Sequence, residues 1–294
     1  MDERRILCII THFGDKLLTW NCVASVLQNQ TVDILIVDND AQQNFAILKQ
    51  YRDRVRMIKT TGKAGFAAAN NLGVQAARQK NHYAVLLLNN DTVVVDNAID
   101  QLSSLLADVK VGAVGPCMPY LVHPEKVWAC GGFVDRLKVQ IGPLRNRNGG
   151  SPFEVDYLPG AAILCRLDLW DKVGGLPEKY FLGYEEAELA MKIRALGFRI
   201  MVNPEAIILH KVGMSSERRP KYEYNSIRNR MKFGRCIWGS ILGTCLVMAL
   251  TLSESIVKQR RISIWIHAMM DEFTRIPLDY DCLSRIALKY NGIA

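Results

Sequence analysis

Short apolar runs alternate with longer, helically spaced segments through the first third of the chain. Ile6–Ile10, Val32–Val37, Val55–Lys59 and Tyr83–Leu88 are strand-like. Between them, Lys16–Gln28 carries Leu17, Leu18, Val23, Val26 and Leu27 at helical spacing. Gln42–Arg52 is compatible with a helix, Gly65–Lys80 is Ala-rich, and Asp96–Ala107 completes the series. Such alternation predicts a parallel sheet with right-handed crossovers. The pattern fades from Pro116 to Pro159, where Gly131-Gly132, Gly142-Pro143 and Asn146–Gly150 are turn chemistry. An irregular stretch of that length is expected to be functional or mobile.

Regularity returns with a strand-like run at Ala161–Arg166. A short helix is predicted over Asp168–Val173, stopped by Gly174-Gly175 and Pro177. Glu185–Leu196 predicts a helix through Leu189, Ile193 and Leu196, and Gly197 is a suitable C-terminal stop. Arg199–Val202 and Ala206–Leu209 predict two short strands.

After His210 the pattern changes. Lys211 to Arg235 carries eight basic residues against two acidic ones, and Ile237–Leu252 is then apolar or small throughout. Lys258, Arg260 and Arg261 follow, and Ile262–Phe273 and Leu283–Tyr290 have amphipathic spacing. The apolar segment is about 16 residues, short of the roughly 20 that a spanning helix needs. Its basic flanks predict an interface-lying attachment to anionic lipid. A buried core helix is the alternative, and it stays open.

Composition adds bounds. The 294 residues are 49% hydrophobic and 22% charged, an ordinary globular balance. The formal charge of +8 suits a phosphate-bearing partner or an anionic membrane. No basic helix interleaved with aromatics points to nucleic acid. The eight cysteines include no C-x-x-C pair, which disfavours zinc and suits free thiols in a reducing compartment. The N-terminus reads as a first strand without a cleavage site, so a cytoplasmic location is expected. No G-x-G-x-x-G follows the first strand, which disfavours a dinucleotide dehydrogenase.

Polar clusters follow the strand-like runs: Thr11-His12, Asp38-Asn39-Asp40, Asn89-Asn90-Asp91 and His210. In an open α/β sheet such ends converge on one edge, where ligands bind. Thr11 and Asp38 are then placed for a nucleotide's base and ribose. Asp91 offers oxygen ligands to a divalent cation that also holds a diphosphate. Taken alone, that cluster serves equally well as a turn and helix cap. Gly65 precedes an Ala-rich helix whose start favours phosphate. Glu185, Glu186 and Glu188 crowd another helix start. Dipole stabilisation explains them in general, and a general base with a raised pKa is the functional alternative.

CIITHF, ILIVDND, GKAGFAAANNLGV, VLLLNNDT, the block from Leu158 to Ile200, the strand ending at His210, and YNSIRNR recur in order over residues 6 to 230. In these motifs the chain resembles glycosyltransferase family 2, the GT-A type inverting sugar transferases, and within it the bacterial rhamnosyltransferase-like branch. The resemblance implies a Rossmann-like, mostly parallel sheet flanked by helices, with residues 1–235 the catalytic domain; the apolar and amphipathic spacing beyond it predicts a helical extension over 236–294, associating with membrane or packing on the core. It implies nucleotide-sugar contacts from Thr11, Asp38, Asn39, Gly65, Asn71, Asn90 and Asp91. Asp91 and His210 would hold Mg2+ or Mn2+, and Glu186, with Glu185 as the other candidate, would be the base. Trp128, Gly160 and Ala161 are expected on the acceptor side, where Trp128 would stack on a sugar; a buried core Trp is the open alternative. Arg228 and Asn229 match a basic motif beyond the catalytic core. The implied donor is a dTDP- or UDP-linked hexose, rhamnose first, and the acceptor a saccharide or lipid-linked saccharide. Peripheral contact with the inner face of the cytoplasmic membrane is expected, and nucleic acid is not. Two departures stand out. Asn89 replaces the first carboxylate of a D-x-D motif, and Glu186 replaces the usual Asp of the base motif. They leave room for a catalytically degenerate nucleotide-sugar-binding protein. A sugar nucleotidyltransferase is a further alternative, although THFGDK is a poor version of its glycine- and cation-rich loop.

Overall fold

A computed structural model describes residues 5–28, 32–40, 45–62, 64–78, 82–212, 220–257, 262–276 and 280–290. Its centre is a parallel quartet made from the four apolar runs. These are β1 (Ile6–His12), β2 (Val32–Asp38), β3 (Val55–Lys59) and β4 (Ala84–Asn89), ordered β4-β1-β2-β3. β1 and β4 are buried on both faces, as continuous apolar runs require. Alternate residues serve opposite cores. Leu7, Ile9, Leu35 and Val37 point to one, and Ile6, Cys8, Ile10 and Ile34 to the other.

Helices cover both faces. α1 (Lys16–Val26) and α3 (Ala98–Leu106) fill the second core with Cys22, Val23, Ile99 and Leu102. α1 begins where the Leu17 amide donates to Asp15 Oδ1 at 2.8 Å, an N-cap that fixes the turn after β1. α2 (Phe66–Arg78), α4 (Leu167–Val173) and α5 (Glu185–Ala195) pack on the first core. The small residues of α2 let it approach the sheet closely. A Cβ on Gly73 would lie 2.5 Å from Ile9 Cγ2.

Beyond β4 the sheet is mixed, because β11 (Ala162–Arg166) inserts antiparallel between β4 and β6 (Val111–Pro119). β6 pairs in parallel with β12 (Arg199–His210), the longest strand. The two short strands predicted over 199–209 are therefore one. Its register shifts between Asn203 and Ile207, around Pro204, so the pairing is interrupted without ending the strand.

The stretch from 116 to 159 is also more regular than its composition predicts. It holds the end of β6, then β7 (Val127–Ala129), β8 (Gly132–Asp135), β9 (Gln140–Pro143) and β10 (Phe153–Glu154). Their glycines sit at turns and close contacts of short antiparallel pairs. The helix predicted over Gln42–Arg52 is absent from its described part. Residues 45–52 hold only a 3₁₀ turn at Lys49–Tyr51, because Phe45 is drawn in to stack on His12. Residues 42–44 lie outside the described residues. β5 (Thr92–Val94) pairs antiparallel with the end of β12, and its three residues are too few to show a period in the sequence.

The basic stretch after His210 contains α6 (Pro220–Trp238). α7 (Ser240–Val257), α8 (Ile262–Phe273) and α9 (Tyr280–Tyr290) follow. α6 runs through position 235 and turns into α7 at Gly239, whose φ is +81°. Gly234 and Gly243 bring α6 and α7 into backbone contact. Among the described residues no helix is long and apolar enough to cross a membrane.

Candidate active site

The carboxyl ends of β1, β2 and β4 lie side by side. Thr11 is in register with Val37 and Asn89, and His12 with Asp38. They open into a cleft of about 470 Å³ bordered by Thr11, Asn39, Asn90, Asp91, Phe66 and Phe181. α6 and α9 close it from the far side, contributing Lys221, Tyr222, Asn225 and Leu283.

The cleft is built from anchored polar side chains. Asp38 is buried, accepts from the Asp40 amide at 3.2 Å and faces Lys59 Nζ at 3.6 Å. Asn39 donates to the Ala64 carbonyl at 2.9 Å and accepts from Thr60 Oγ1 at 2.6 Å. Its amide is thus spent holding the segment before α2. Asn90 donates to Thr19 Oγ1 at 2.9 Å and to the Phe13 carbonyl at 3.1 Å, which ties the tip of β4 to α1. Thr11 Oγ1 lies 3.3 Å from Asn70 Oδ1.

Asp91 meets His210 because β5 pairs with the end of β12, placing Thr92 opposite His210. His210 Nε2 is 3.1 Å from Asp91 Oδ1. The other ring nitrogen is buried without a partner, and the edge of Trp128 lies against the imidazole at 4.4 Å between centroids. No group of three or more His, Cys, Asp or Glu among the described residues could hold a metal alone. A cation that shares a diphosphate does not need such a cage. One or two protein ligands plus phosphate oxygens suffice. The carboxylate and buried imidazole fit that requirement.

The carboxylate cluster at the start of α5 divides by environment. Glu188 is satisfied: Tyr180 donates to it at 2.7 Å and Lys179 Nζ lies 2.7 Å away. Glu185 and Glu186 each keep a buried oxygen with no partner. Burial pushes the Glu186 carboxyl up to about 7, against the pull of backbone amides at its own position and at Gly160. Burial and then the neighbouring Glu186 charge push Glu185 up to about 8. Glu185 is buried and Glu186 only half-buried. A Cβ on Gly160 would sit 3.1 Å from the Phe66 ring and 3.9 Å from Glu186 Oε1, so Glu186 stands beside the cleft wall. Ala161 is buried, and its carbonyl accepts from the Asn89 amide at 3.0 Å, linking β11 to the Asp91 turn.

The turn into α5 is unusual. Tyr184 occupies the N-cap with φ +78°, directly after Gly183 at +90°. α6 holds that turn. Asn225 donates to the Leu182 carbonyl at 2.7 Å, and Asn229 donates to the Leu182 and Gly183 carbonyls, each at 2.9 Å. This is the structural work of the YNSIRNR segment. Arg228 instead faces away from the cleft, bonded to Glu272 at 3.0 Å and to the Tyr224 hydroxyl at 3.1 Å.

Gly65 and Asn71 are not themselves among the cleft-lining residues. Gly65 packs against the backbone of Phe181, where a Cβ would be 3.0 Å from the carbonyl oxygen, so its smallness serves chain against chain. Asn71 points to the loop before α5, donating to the Leu176 carbonyl and to Glu178 Oε1, both at 2.9 Å. The preceding Asn70 is the residue that meets Thr11. Lys221, Tyr222 and Phe181 also border the cleft, at positions that the strand-end pattern does not predict. Helical phase within the basic stretch is the signal that separates Lys221 and Asn225 from Arg228.

The family described as "Glycosyltransferase like family 2" matches residues 4–232. The O-antigen biosynthesis protein RfbC of Myxococcus xanthus is 27% identical over 219 residues, 69% of this chain but only 17% of that protein. The dTDP-rhamnosyl transferase RfbF of Shigella flexneri is 20% identical over 225 residues, covering 72% of this chain and 70% of that one. The N-acetylglucosaminyl-diphospho-decaprenol L-rhamnosyltransferase of Mycobacterium tuberculosis is 25% identical over 221 residues, covering 67% and 72%. Among solved structures, the Pyrobaculum calidifontis mannosyltransferase PcManGT, solved with GDP-Man and Mn2+, gives a TM-score of 0.55 at 14% identity, covering 92% of this chain and 80% of that one. Residues 1–349 of S. aureus TarS give 0.58 at 13% identity, covering 93% and 81%. These likenesses show the GT-A fold.

Proposed function

The chain belongs to glycosyltransferase like family 2, and on that premise we propose that it is an inverting hexosyltransferase acting in surface polysaccharide synthesis. The donor is a dTDP- or UDP-linked hexose, rhamnose first, as the relative from Shigella flexneri suggests. The acceptor is a saccharide or lipid-linked saccharide presented at the inner face of the cytoplasmic membrane.

In this reading the nucleotide lies along Thr11, Asp38 and Asn39, with its diphosphate toward Asp91. The acceptor hydroxyl attacks the anomeric carbon in line, and Glu186 removes its proton. A base for this step must lose its own proton near neutral pH and have an oxygen free to accept another. Glu186 has both properties, and it carries the proposal. A divalent cation, where bound by Asp91 and His210, would offset charge on the departing diphosphate. Lys221, on the opposite wall of the cleft, supplies positive charge from the chain itself.

The test is Glu186→Gln. It should keep donor binding, read by thermal shift, while transfer falls by roughly 10²-fold or more. Transfer at the wild-type rate would end the assignment of the base. Asn89, in place of a second carboxylate, favours the catalytically degenerate reading. Release of nucleoside diphosphate from donor by wild type, above the Glu186→Gln background, excludes that reading. Release of pyrophosphate would instead identify a nucleotidyltransferase.

A further inference from the structure

α8 turns an apolar stripe to solvent. Ile262, Ile266, Met270 and Phe273 recur at four- and three-residue spacing and are 47%, 47%, 61% and 57% exposed. Ile241 and Leu242, in the first turn of α7, are exposed as well. Single exposed apolar side chains are ordinary, but a continuous stripe marks a contact surface. The helix does not need the stripe to stay in place, because Ile264, Ala268 and Met269 on its other side are buried.

Phe273 and Ile276, at the end of the stripe, form a wall of a cavity of about 760 Å³. The remaining lining is mostly cationic: Lys179, Arg228, Lys232, Arg235 and Arg275, against Glu178 and Glu272. The acids near it are already engaged. Glu272 is shared by Arg228 at 3.0 Å and Arg235 at 2.7 Å, and Lys179 is paired with Glu188 outside the lining. Lys232 Nζ donates to the Lys179 carbonyl at 2.6 Å. Among the described residues no carboxylate forms an ion pair with Lys232 or Arg275. Burial pushes the Lys232 ammonium down to about 8; Glu272 opposes the shift, while Arg228, Lys179 and Arg235 add to it. An anion in the cavity would relieve that strain on the ammonium.

We propose that this cavity receives the phosphate of an anionic phospholipid at a bilayer surface, with Ile262, Ile266, Met270 and Phe273 lying among the acyl chains. Phe273 belongs to both the stripe and the cavity, so one membrane-facing surface joins them. An apolar helix face edged by Lys and Arg is the arrangement that binds at a lipid interface. The core of a protein–protein interface is instead depleted in charge. The formal charge of +8 favours the same partner. The membrane face thereby centres on α8 and the first turn of α7, while Gly243, further along the segment 237–252, is used in the glycine contact between α6 and α7. The inference extends the membrane placement of the proposed function and is independent of the transfer chemistry.

The experiment is flotation of the full chain with vesicles of phosphatidylcholine, alone or mixed with phosphatidylglycerol. Wild type should float only with the anionic mixture, and less as salt rises. Lys232→Gln with Arg275→Gln should weaken binding by about tenfold or more. Met270→Ser with Phe273→Ser, at exposed positions, should weaken it comparably while preserving the far-UV spectrum and donor turnover. Ile262→Ser with Ile266→Ser provides an independent test of the stripe. Wild type that stays unbound, binds phosphatidylcholine equally, or is unaffected by both apolar pairs would overturn the proposal. Self-association without flotation, abolished by the apolar substitutions, would assign the stripe to a second copy instead. Binding only when polyprenyl phosphate is added to neutral vesicles would overturn the phospholipid assignment. Wild type that turns over donor but fails to float removes this site alone, and wild type that floats without turnover removes the transfer reading alone.

Discussion

Glu186 and Glu185 are adjacent, yet their surroundings differ. Glu186 is half-buried beside Phe66 and Gly160, whereas Glu185 is buried. Transfer by wild type is therefore expected to rise with pH through about 7, as Glu186 loses its proton. A pH–rate profile of Glu186→Gln should lose that rise, and Glu185→Gln should keep it. Asp91→Asn should remove the extra thermal stabilisation that Mn2+ adds to bound donor, because one of the two candidate protein ligands is gone. Full Mn2+ stabilisation in this variant would count against the role of Asp91. At this scale the sequence was legible where a side chain's chemistry follows a strand end, as at Asp91 and His210. It was illegible where neighbours compete for one role. Asn70 and Asn71 have the same amide, and only the phase of α2 sends one to Thr11 and the other to Leu176 and Glu178.

Elements matter here mainly as clamps. α6 holds the Leu182 and Gly183 carbonyls through Asn225 and Asn229, and those carbonyls belong to the left-handed turn that launches Glu185 and Glu186. Asn229→Ala should loosen the turn. We expect kcat to fall while donor affinity, read by titration, stays near wild type, since Asn229 is not among the cleft-lining residues. Equal loss of both would instead point to general unfolding of the site. Gly73→Ala is expected to destabilise the fold by about 1–3 kcal/mol in denaturant unfolding, because the new methyl meets Ile9 and Val37. Apolar periodicity located the parallel quartet and α1, α2 and α3. It failed over 45–52, where stacking of Phe45 on His12 replaces a helix, and over 116–159, where short paired strands carry too few residues to show a period. β12 read as two strands because Pro204 interrupts its apolar run, while pairing with β6 on one side and β5 on the other carries it through.

At the scale of the whole molecule, the fold places two carboxyls that resist ionisation in the first turn of α5, beside the cleft wall, and stability must register their charge. Their ordinary value is 4.5, and the folded values are about 8 for Glu185 and about 7 for Glu186. Between those limits the folded chain keeps protons that the unfolded chain has released. Stability therefore falls as pH rises through this window, and the contribution is fully present only below about 4.5. Glutamine in either position removes the titration. The melting temperatures of Glu185→Gln and Glu186→Gln are expected to match wild type near pH 4.5, to exceed it increasingly up to about pH 8 and about pH 7 respectively, and to keep a constant margin above that, by roughly 2–4 °C for each kcal/mol relieved. Glu185→Gln should gain more, because its carboxyl is the more deeply buried. The same Glu186→Gln substitution would thus make the protein more stable at alkaline pH and much less active. This pairing is the mark of a site that holds a costly charge for chemistry. A Glu186→Gln protein less stable than wild type at alkaline pH would show that the carboxylate supports the start of α5, and the case for it as the base would lose its physical ground.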